Sequence, residues 1–436
     1  MSSPSSLPPV PPTQTTESGI PSNPQAIHKI RDAWISKQLT LRQASFTNYS
    51  PLSVVCATYN VNAKSFKDDG VGKGKAGLID WLFPAGVKNS CGNPGGDIIA
   101  VGFQEIVDLN AVNVAVDSKA TQRSIAWQEE LSAVLAKGGA PAGDEYVLIS
   151  EKHLVGMLIC VYVRIKHAPQ VKHVKTDSVG VGVMGVMGNK GGVSVRCQAY
   201  DSTMCFTCSH FAAHRENVVG RNADFHSICN KTSFAIGEQA VKDSVSAGSL
   251  SQWATGGTIG LMDHDFVFWL GDLNYRIDES LTTDEVFEKT SGGNISNLLT
   301  HDQLNVERAA NNVFQQFNEG KINFLPTYKY QPGTDLYECR PEKKLRAPAW
   351  CDRVLWSSLN EDHVQQTVYT RSELDISDHK PVVAGFAAKM KSIIPSKRNE
   401  VHAEIMRTLD KFENQSLPKV DLSQIGVDFG EVFYDR

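Results

Sequence analysis

The chain has 436 residues, 41% hydrophobic and 21% charged, with 43 basic against 48 acidic side chains and a formal net charge of −5. These values are ordinary for a soluble globular protein; the length allows two or three domains or one large α/β or all-β domain. No basic excess draws nucleic acid through a global field, so any anion site must be local.

The nine cysteines (Cys56, Cys91, Cys160, Cys197, Cys205, Cys208, Cys229, Cys339, Cys351) are odd in number and mostly lie in apolar runs, as reduced core thiols of a cytosolic protein do. Cys205 and Cys208 form a Cys-x-x-Cys inside a strand-like run with no second pair, which reads as core rather than zinc. Residues 1–24 are rich in Ser, Pro and Thr, lack a signal-peptide core and are expected to be disordered. The longest apolar run, Leu154 to Val163, is about half of what spans a bilayer. The expectation is a cytoplasmic protein that works peripherally at a membrane.

In chain order, residues 25–51 read as a helix, with Ile27, Ile30, Trp34 and Ile35 on one face, followed by a linker. Val54 to Tyr59 is strand-like and delivers Asn60 and Asn62. The glycine- and lysine-rich loop from Gly70 to Gly77 does not match a phosphate loop. Asp97 to Phe103 is a second buried strand, ending in Gln104 and Glu105, and helical character follows over 119–136. Leu154–Arg164 reads as one strand, Gly180 to Gly192 as a glycine-rich turn holding Asn189 and Lys190, and Met204–Cys208 as a strand presenting Ser209, His210 and His214. A long helix is expected from about Glu216 to Val245.

Five apolar residues, Phe266 to Leu270, have the composition of a strand buried on both faces, and Gly271, Asp272, Leu273 and Asn274 follow. Asp272 and Asn274 are two apart and share a side of extended backbone, where a carboxylate and an amide are costly unless they bind something. Helices are expected around 281–317; Asp352 and Arg353 then lead a strand, and Asp378 and His379 precede the last one. Asn60, Glu105, His210, Asp272, Asp352 and His379 are thus spread over the chain, most of them beside an apolar strand. A β-scaffold gathers remote residues into one site in this way.

Thr58–Asn62, Phe103–Glu105, Gly188–Gly192, Ser209–His214, Trp269–Arg276, Pro326–Tyr330, Pro348–Trp356 and Ser377–Pro381 together resemble the inositol polyphosphate 5-phosphatases of the endonuclease/exonuclease/phosphatase superfamily. The resemblance covers about residues 52–388 as a catalytic domain and is nearest in look to the type II group that includes the Lowe-syndrome (oculocerebrorenal) phosphatase. It implies an α/β fold, a two-sheet β-sandwich flanked by helices (DNase I-like). After the catalytic domain, 389–418 reads as a linker and helix, with Val401, Ile405, Leu409 and Phe412 on one side. Residues 419–436 resemble the start of a truncated immunoglobulin-like (ASH-type) domain.

The resemblance implies Mg²⁺-dependent hydrolysis of a 5-phosphate by an activated water, with PtdIns(4,5)P2, PtdIns(3,4,5)P3 and soluble Ins(1,4,5)P3 as candidate substrates. Mg²⁺ takes oxygen ligands and keeps waters, so Glu105 is its expected ligand, assisted by Asn60. Asp272, oriented by Asn274, would position or deprotonate the water; Asp352 would hold His379 as a cationic phosphate donor, with His210 and Asn62 as further donors. No Cys-x5-Arg loop or nucleophilic Asp motif points to a phospho-enzyme. Tyr328, Lys329, Lys344 and Arg346 match positions that grip the 4-phosphate, Asn189 and Lys190 the 1-phosphate side, and Arg276 and Arg353 are placed as further substrate cations. The glycine-rich turn and Leu154–Val163 are either lipid-contacting residues or core strands. The expected partners are phosphoinositide lipids at a membrane surface and no nucleic acid. A nuclease of the same superfamily or a non-catalytic phosphoinositide adaptor are the competing readings. The intact Glu105, Asp272 and His379 speak against the adaptor, and the Tyr328–Lys329 and Lys344/Arg346 set against the nuclease.

Overall fold

The computed structural model describes residues 24–64, 77–108, 118–182, 188–235, 237 and 258–416. The expected disordered tail up to residue 23, most of the glycine- and lysine-rich loop, the centre of the glycine-rich turn and the expected immunoglobulin-like start lie outside these residues. The strands are β1 (Thr47–Asn60), β2 (Ile98–Gln104), β3 (Tyr146–Leu154), β4 (Met157–Arg164), β5 (Val171–Gly180), β6 (Gly191–Ala199), β7 (Ser202–His210), β8 (Ser233–Ala235), β9 (Thr258–Gly260), β10 (Phe266–Asp272), β11 (Asn318–Glu319), β12 (Asp352–Ser358), β13 (Val364–Arg371) and β14 (Val382–Ile393). The helices are α1 (Pro24–Leu41), α2 (Leu78–Leu82), α3 (Ser118–Gly139), α4 (Val218–Lys231), α5 (Thr283–Ser291), α6 (Ile295–Thr300), α7 (Gln303–Ala309) and α8 (Pro395–Ser416). None of them is long and apolar enough to cross a membrane.

Two mixed six-stranded sheets, ordered β13-β14-β1-β2-β4-β3 and β11-β12-β10-β7-β6-β5, form a sandwich flanked by helices, as the motifs lead one to expect. Alternation along the strands explains the layering. In β10, Phe266, Phe268 and Leu270 join the core between the sheets, where Phe268 packs on Phe206 and Phe386. Val267 and Trp269 point the other way, into a cluster with Phe225 of α4, Phe314 and Phe317. In β1, Val54 and Cys56 face inward, while Val55, Ala57 and Tyr59 join Trp81 of α2 and Trp127 of α3 on the outer face. Cys205 and Cys208 fall on opposite faces of β7, so they cannot share a metal, and all nine cysteines are free thiols.

Several elements differ from their expected form. Leu154–Arg164 is the end of β3, a turn and β4, because Val155 adopts φ 52 and Gly156 follows it inside an unbroken apolar run. Of the helix expected over 216–245, the described residues show α4, capped by the Asn217 side chain, and then the short strand β8; 236 and 238–245 lie outside the described residues. β1 begins at Thr47; its exposed polar stretch 48–51 resembles a linker in sequence.

The described residues between 48 and 392 form one compact unit; those of 24–47 and 393–416 form another. In the second, α1 and α8 pack Trp34 against Val401, Ile405 and Leu409, while Phe412 is 43% exposed. Arg42 pairs with Glu404 at 2.5 Å, and Arg31 with Asp410 at 2.9 Å and with Glu413.

At the end of β10, Gly271 has φ 150, and a Cβ there would sit 2.1 Å from the Ser209 carbonyl oxygen of β7. Gly271→Ala is expected to cost about 3 kcal/mol, read as a lowered Tm in thermal unfolding; an unchanged Tm contradicts this account.

Candidate active site

The inward alternation does not stop where the apolar residues end. Asn60 continues the inner face of β1 after Val54 and Cys56, and Gln104 that of β2 after Ile98 and Ala100. His210 follows Phe206 and Cys208 in β7, and Asp272 follows Phe268 and Leu270 in β10. β1 and β2 are parallel, as are β7 and β10, with Asn60 beside Gln104 and Asp272 beside His210. Antiparallel β12 starts at the same end, pairing Asp352 with Asp272. The polar groups therefore meet at one mouth of the sandwich, where the sheets hold the backbone and no loop has to find them.

Asp272 is 1% exposed. Its Oδ1 accepts from the Asn274 backbone N–H at 3.0 Å, and its Oδ2 from the Asn60 amide at 2.9 Å. His210 Nε2 lies 3.3 Å from Oδ2 and His379 Nε2 3.9 Å. Burial works to raise the Asp272 pKa, but the His210 contact and the charges of His379 and Lys190 hold it well below the carboxylate range. Asn274 takes the left-handed φ of 57, donates to the Phe211 carbonyl at 3.1 Å and accepts from Arg276.

Asp352 Oδ2 receives His379 Nδ1 at 2.9 Å and the Thr327 hydroxyl at 2.6 Å. Burial opposes a charged imidazole, yet the adjacent Asp352 carboxylate, with help from Asp272, raises the His379 pKa to about 10. His379 is thus an imidazolium whose Nε2–H faces the cavity side of Asp272. Among the described residues, Asp272, Asp352 and His379 bring ligand atoms within 4.8 Å of one another. Within the trio, Asp352 and His379 are already bound to each other at 2.9 Å.

Glu105 offers the open carboxylate. Its backbone is left-handed at φ 54, which holds the side chain toward the cavity, where it keeps 31% of its surface. Among the described residues, its Oε1 meets the Asn60 amide at 3.3 Å and His210 Nε2 at 3.7 Å, which leaves lone pairs for a hard divalent cation. Asn60 stands beside it: its NH2 brackets both carboxylates, and its Oδ1 accepts from the Asn62 backbone N–H at 3.0 Å while keeping a second lone pair. Lys190 Nζ lies 2.5 Å from His210 Nε2, inside the reaction cavity. Burial lowers the Lys190 pKa against the pull of Asp272 and Glu105; burial and Lys190 together lower that of His210.

The cavity has a volume of about 220 Å³. Asn62, Lys190, Arg276, Tyr328, Lys329 and Arg346 line it together with the catalytic candidates. Arg346 donates to the Tyr328 hydroxyl at 2.5 Å, and the Arg276 guanidinium lies 4.3 Å over the Tyr328 ring. Lys329 pairs with Asp378 at 3.4 Å.

Three expected substrate residues lie elsewhere. Arg353 is fully buried, bound to Asp302 at 2.9 Å and Glu319 at 2.6 Å, because it points to the opposite face of β12 from Asp352. Lys344 lines an adjoining cavity that shares Ala213, Arg276 and Arg346 with this one. Asn189 does not line the reaction cavity, and its Oδ1 is buried without a hydrogen-bond partner. Sequence reasoning missed Thr327, which anchors Asp352, and Asp378, which sets Lys329; both sit inside quoted motifs next to residues that were singled out.

The Endonuclease/Exonuclease/phosphatase family 2 model matches residues 57–385. The chain is 34% identical over 403 residues to synaptojanin-2 of Rattus norvegicus, covering 85% of this chain and 25% of that protein. It is 34% identical over 405 residues to the type II inositol 1,4,5-trisphosphate 5-phosphatase of Mus musculus, covering 93% of this chain and 36% of that protein. It is 37% identical over 314 residues to the type IV inositol polyphosphate 5-phosphatase 9 of Arabidopsis thaliana, covering 67% of this chain and 70% of that protein. The chain thus spans about a quarter to a third of the first two relatives. Among solved structures, it is similar to the inositol polyphosphate 5-phosphatase domain of SPsynaptojanin in complex with inositol (1,4)-bisphosphate and calcium ion. The TM-score is 0.70 at 29% identity, over 88% of this chain and 98% of that one. A Cimex nitrophorin, at TM-score 0.54 and 21% identity over 78% of this chain and 99% of that one, shares the fold alone.

The His379 pair has a pH signature. Because its folded pKa of about 10 exceeds the ordinary 6.5, its protonation contributes stability that is fully present below about pH 6.5 and lost as pH rises through 10. Asp352→Asn is expected to return the His379 pKa toward 6.5 in an NMR titration and to remove that alkaline loss.

Proposed function

The chain belongs to the inositol polyphosphate 5-phosphatase family, and we propose that it hydrolyses the 5-phosphate of phosphoinositide headgroups, with PtdIns(4,5)P2 giving PtdIns4P, at a membrane surface. The observation that carries this reading is a single cavity. Asp272 and His379, whose ring Asp352 holds, line it together with Tyr328, Lys329 and Arg346, which form a wall that begins with the Tyr328 ring 4.6 Å from the His379 ring. One end suits an attacked phosphoryl group, and the wall suits a neighbouring phosphate of about −1.5 to −2 charges.

Phosphoryl transfer to water asks for position and charge more than for covalent chemistry. Asp272, fixed through Asn274 N–H and the Asn60 amide, orients the attacking water. A carboxylate held so far below its usual range is a weak base, so orientation is its larger contribution. His379 donates from Nε2 to a non-bridging oxygen while Asp352 and Thr327 fix its ring from the Nδ1 side. Lys190 and Asn62 supply further donors. Attack forms the water–phosphorus bond, the bond to the ring oxygen breaks, and the ring keeps a 5-hydroxyl.

The open Glu105 carboxylate, with its hard oxygen donors, fits a divalent cation, and Mg²⁺ is the proposed one. When bound there, such an ion neutralises charge that develops on the phosphoryl oxygens. Glu105 itself contributes a carboxylate set in place by its left-handed backbone and by Asn60.

The test is phosphate release from short-chain PtdIns(4,5)P2 with PtdIns4P quantified, and abasic-site DNA run in parallel. Turnover that requires Mg²⁺ and ends with EDTA is expected; DNA cleavage without lipid turnover would replace this reading with a nuclease. Asp272→Ala, folded by circular dichroism, should lose about a thousandfold in kcat. Lys329→Ala should lower the preference for 4,5- over 5-only phosphorylated substrates by about tenfold, and an unchanged preference removes Lys329 from the specificity wall.

A further inference from the structure

Two segments leave the second sheet side by side at the reaction cavity, 211–215 after β7 and 273–277 after β10. Asn274 is held between them. Its amide donates to the Phe211 carbonyl at 3.1 Å and its Oδ1 accepts from Arg276, while its backbone N–H fixes Asp272 Oδ1 at 3.0 Å. The direction of the Asp272 carboxylate therefore depends on how the two segments sit against each other. The β7–β10 ladder ends at His210 and Asp272, with one further bond from Phe211 N–H to the Asp272 carbonyl at 3.1 Å. Beyond that point the sheet no longer sets their spacing.

Gln303, the first residue of α7, joins the segments farther out. Its Oε1 accepts from the Arg276 backbone N–H at 2.9 Å, and its own backbone N–H donates to the Arg276 carbonyl at 2.8 Å. Its Nε2 donates to the Arg215 carbonyl at 2.9 Å, so one buried side chain bonds both segments. Arg221 of α4 braces the same joint. Its Nη2 donates to Gln303 Oε1 at 2.6 Å and to the Arg215 carbonyl at 3.2 Å, and its Nη1 to the carbonyls of His214 at 2.6 Å and Ala212 at 3.4 Å. Among the described residues, the partners of this fully buried guanidinium are neutral oxygens and the Tyr275 ring, 5.1 Å from Cζ. Burying a charge without a counter-charge costs stability, and here it secures a turn in which His214 takes a left-handed φ of 80.

We propose that Gln303 and Arg221 are positioning residues for the hydrolysis proposed above, on which this inference rests: they lock the exits of β7 and β10 to each other and so hold Asn274, and through it the Asp272 carboxylate, in line with the attacked phosphoryl group. Neither is among the residues that line the reaction cavity. Their effect runs through Asn274, and an error of about 1 Å at a reacting centre costs about a hundredfold in rate.

The experiment is a double-mutant cycle on kcat with short-chain PtdIns(4,5)P2, using the full chain, with Tm read alongside. Gln303→Met keeps the bulk of the side chain and removes its amide; it is expected to lower kcat about thirtyfold and to change KM by less than about threefold. In an Asn274→Ala background the same change is expected to cost no more than about threefold, because the group it positions is gone. Arg221→Lys keeps the charge and loses the fork that spans Gln303 and the carbonyls. It is expected to cost about tenfold, again only while Asn274 is present, and it decides the matter if Gln303→Met does not fold. Equal losses in both backgrounds mean that the variants merely reduce the folded fraction, and overturn the proposal. An unchanged kcat in both variants overturns it too. Wild-type silence on this substrate defeats the 5-phosphatase reading and this inference with it, whereas equal losses in an active enzyme defeat this inference alone.

Discussion

Strand periodicity governs this molecule. Four inward faces, in β1, β2, β7 and β10, run from carbon into amide, imidazole and carboxylate without changing side. The same two-residue period that buries Cys56, Phe206, Phe268 and Leu270 delivers Asn60, His210 and Asp272 to one opening. The core and the candidate site are therefore one structure read at two heights. A strand that slipped by one residue would lose both together.

The constraint also sorts neighbours that look alike in sequence. Asp352 and Arg353 are adjacent, and both stand in the same specific motif. Asp352 shares its face with Val354 and turns to His379; Arg353 points out with Leu355 and is spent on Asp302 and Glu319. Buried charge is costly unless it is paired, and each member of this dipeptide finds its partner in a different layer. One pairing tunes a proton donor, and the other anchors β12 to α7 and β11.

Much of this was legible in the chain, because apolar runs followed at once by a polar residue announce strand ends. The motif around Asp272, the Asp352–His379 partnership and the two-sheet architecture all followed from that signal and from the family resemblance. What stayed hidden is what periodicity does not encode. The turn at Val155 sits inside an unbroken apolar run and depends on a backbone angle rather than on composition. The direction of the Asn60 amide is set by contacts across β1, β2 and β10, far apart in the sequence. Lys190 enters the reaction cavity because β6 pairs with β7 through Gly191 and His210, a register that no local pattern reveals. Lys344 and Arg346 belong to one basic run in the sequence, yet only Arg346 also reaches the reaction cavity.

The helices α1 and α8 carry a further consequence. Trp34 and the Val401, Ile405 and Leu409 row are covered by each other, though they come from opposite ends of the chain. The family model matches residues 57–385, which includes neither helix. Trimming one helix exposes the apolar row of the other as an adhesive surface in solution, and trimming both still uncovers Phe46, which is 2% exposed in the same cluster. The two helices are in this sense a matched clasp: for a shortened version of this protein, solubility follows from which members of that cluster lose their cover, and not from how many residues are cut.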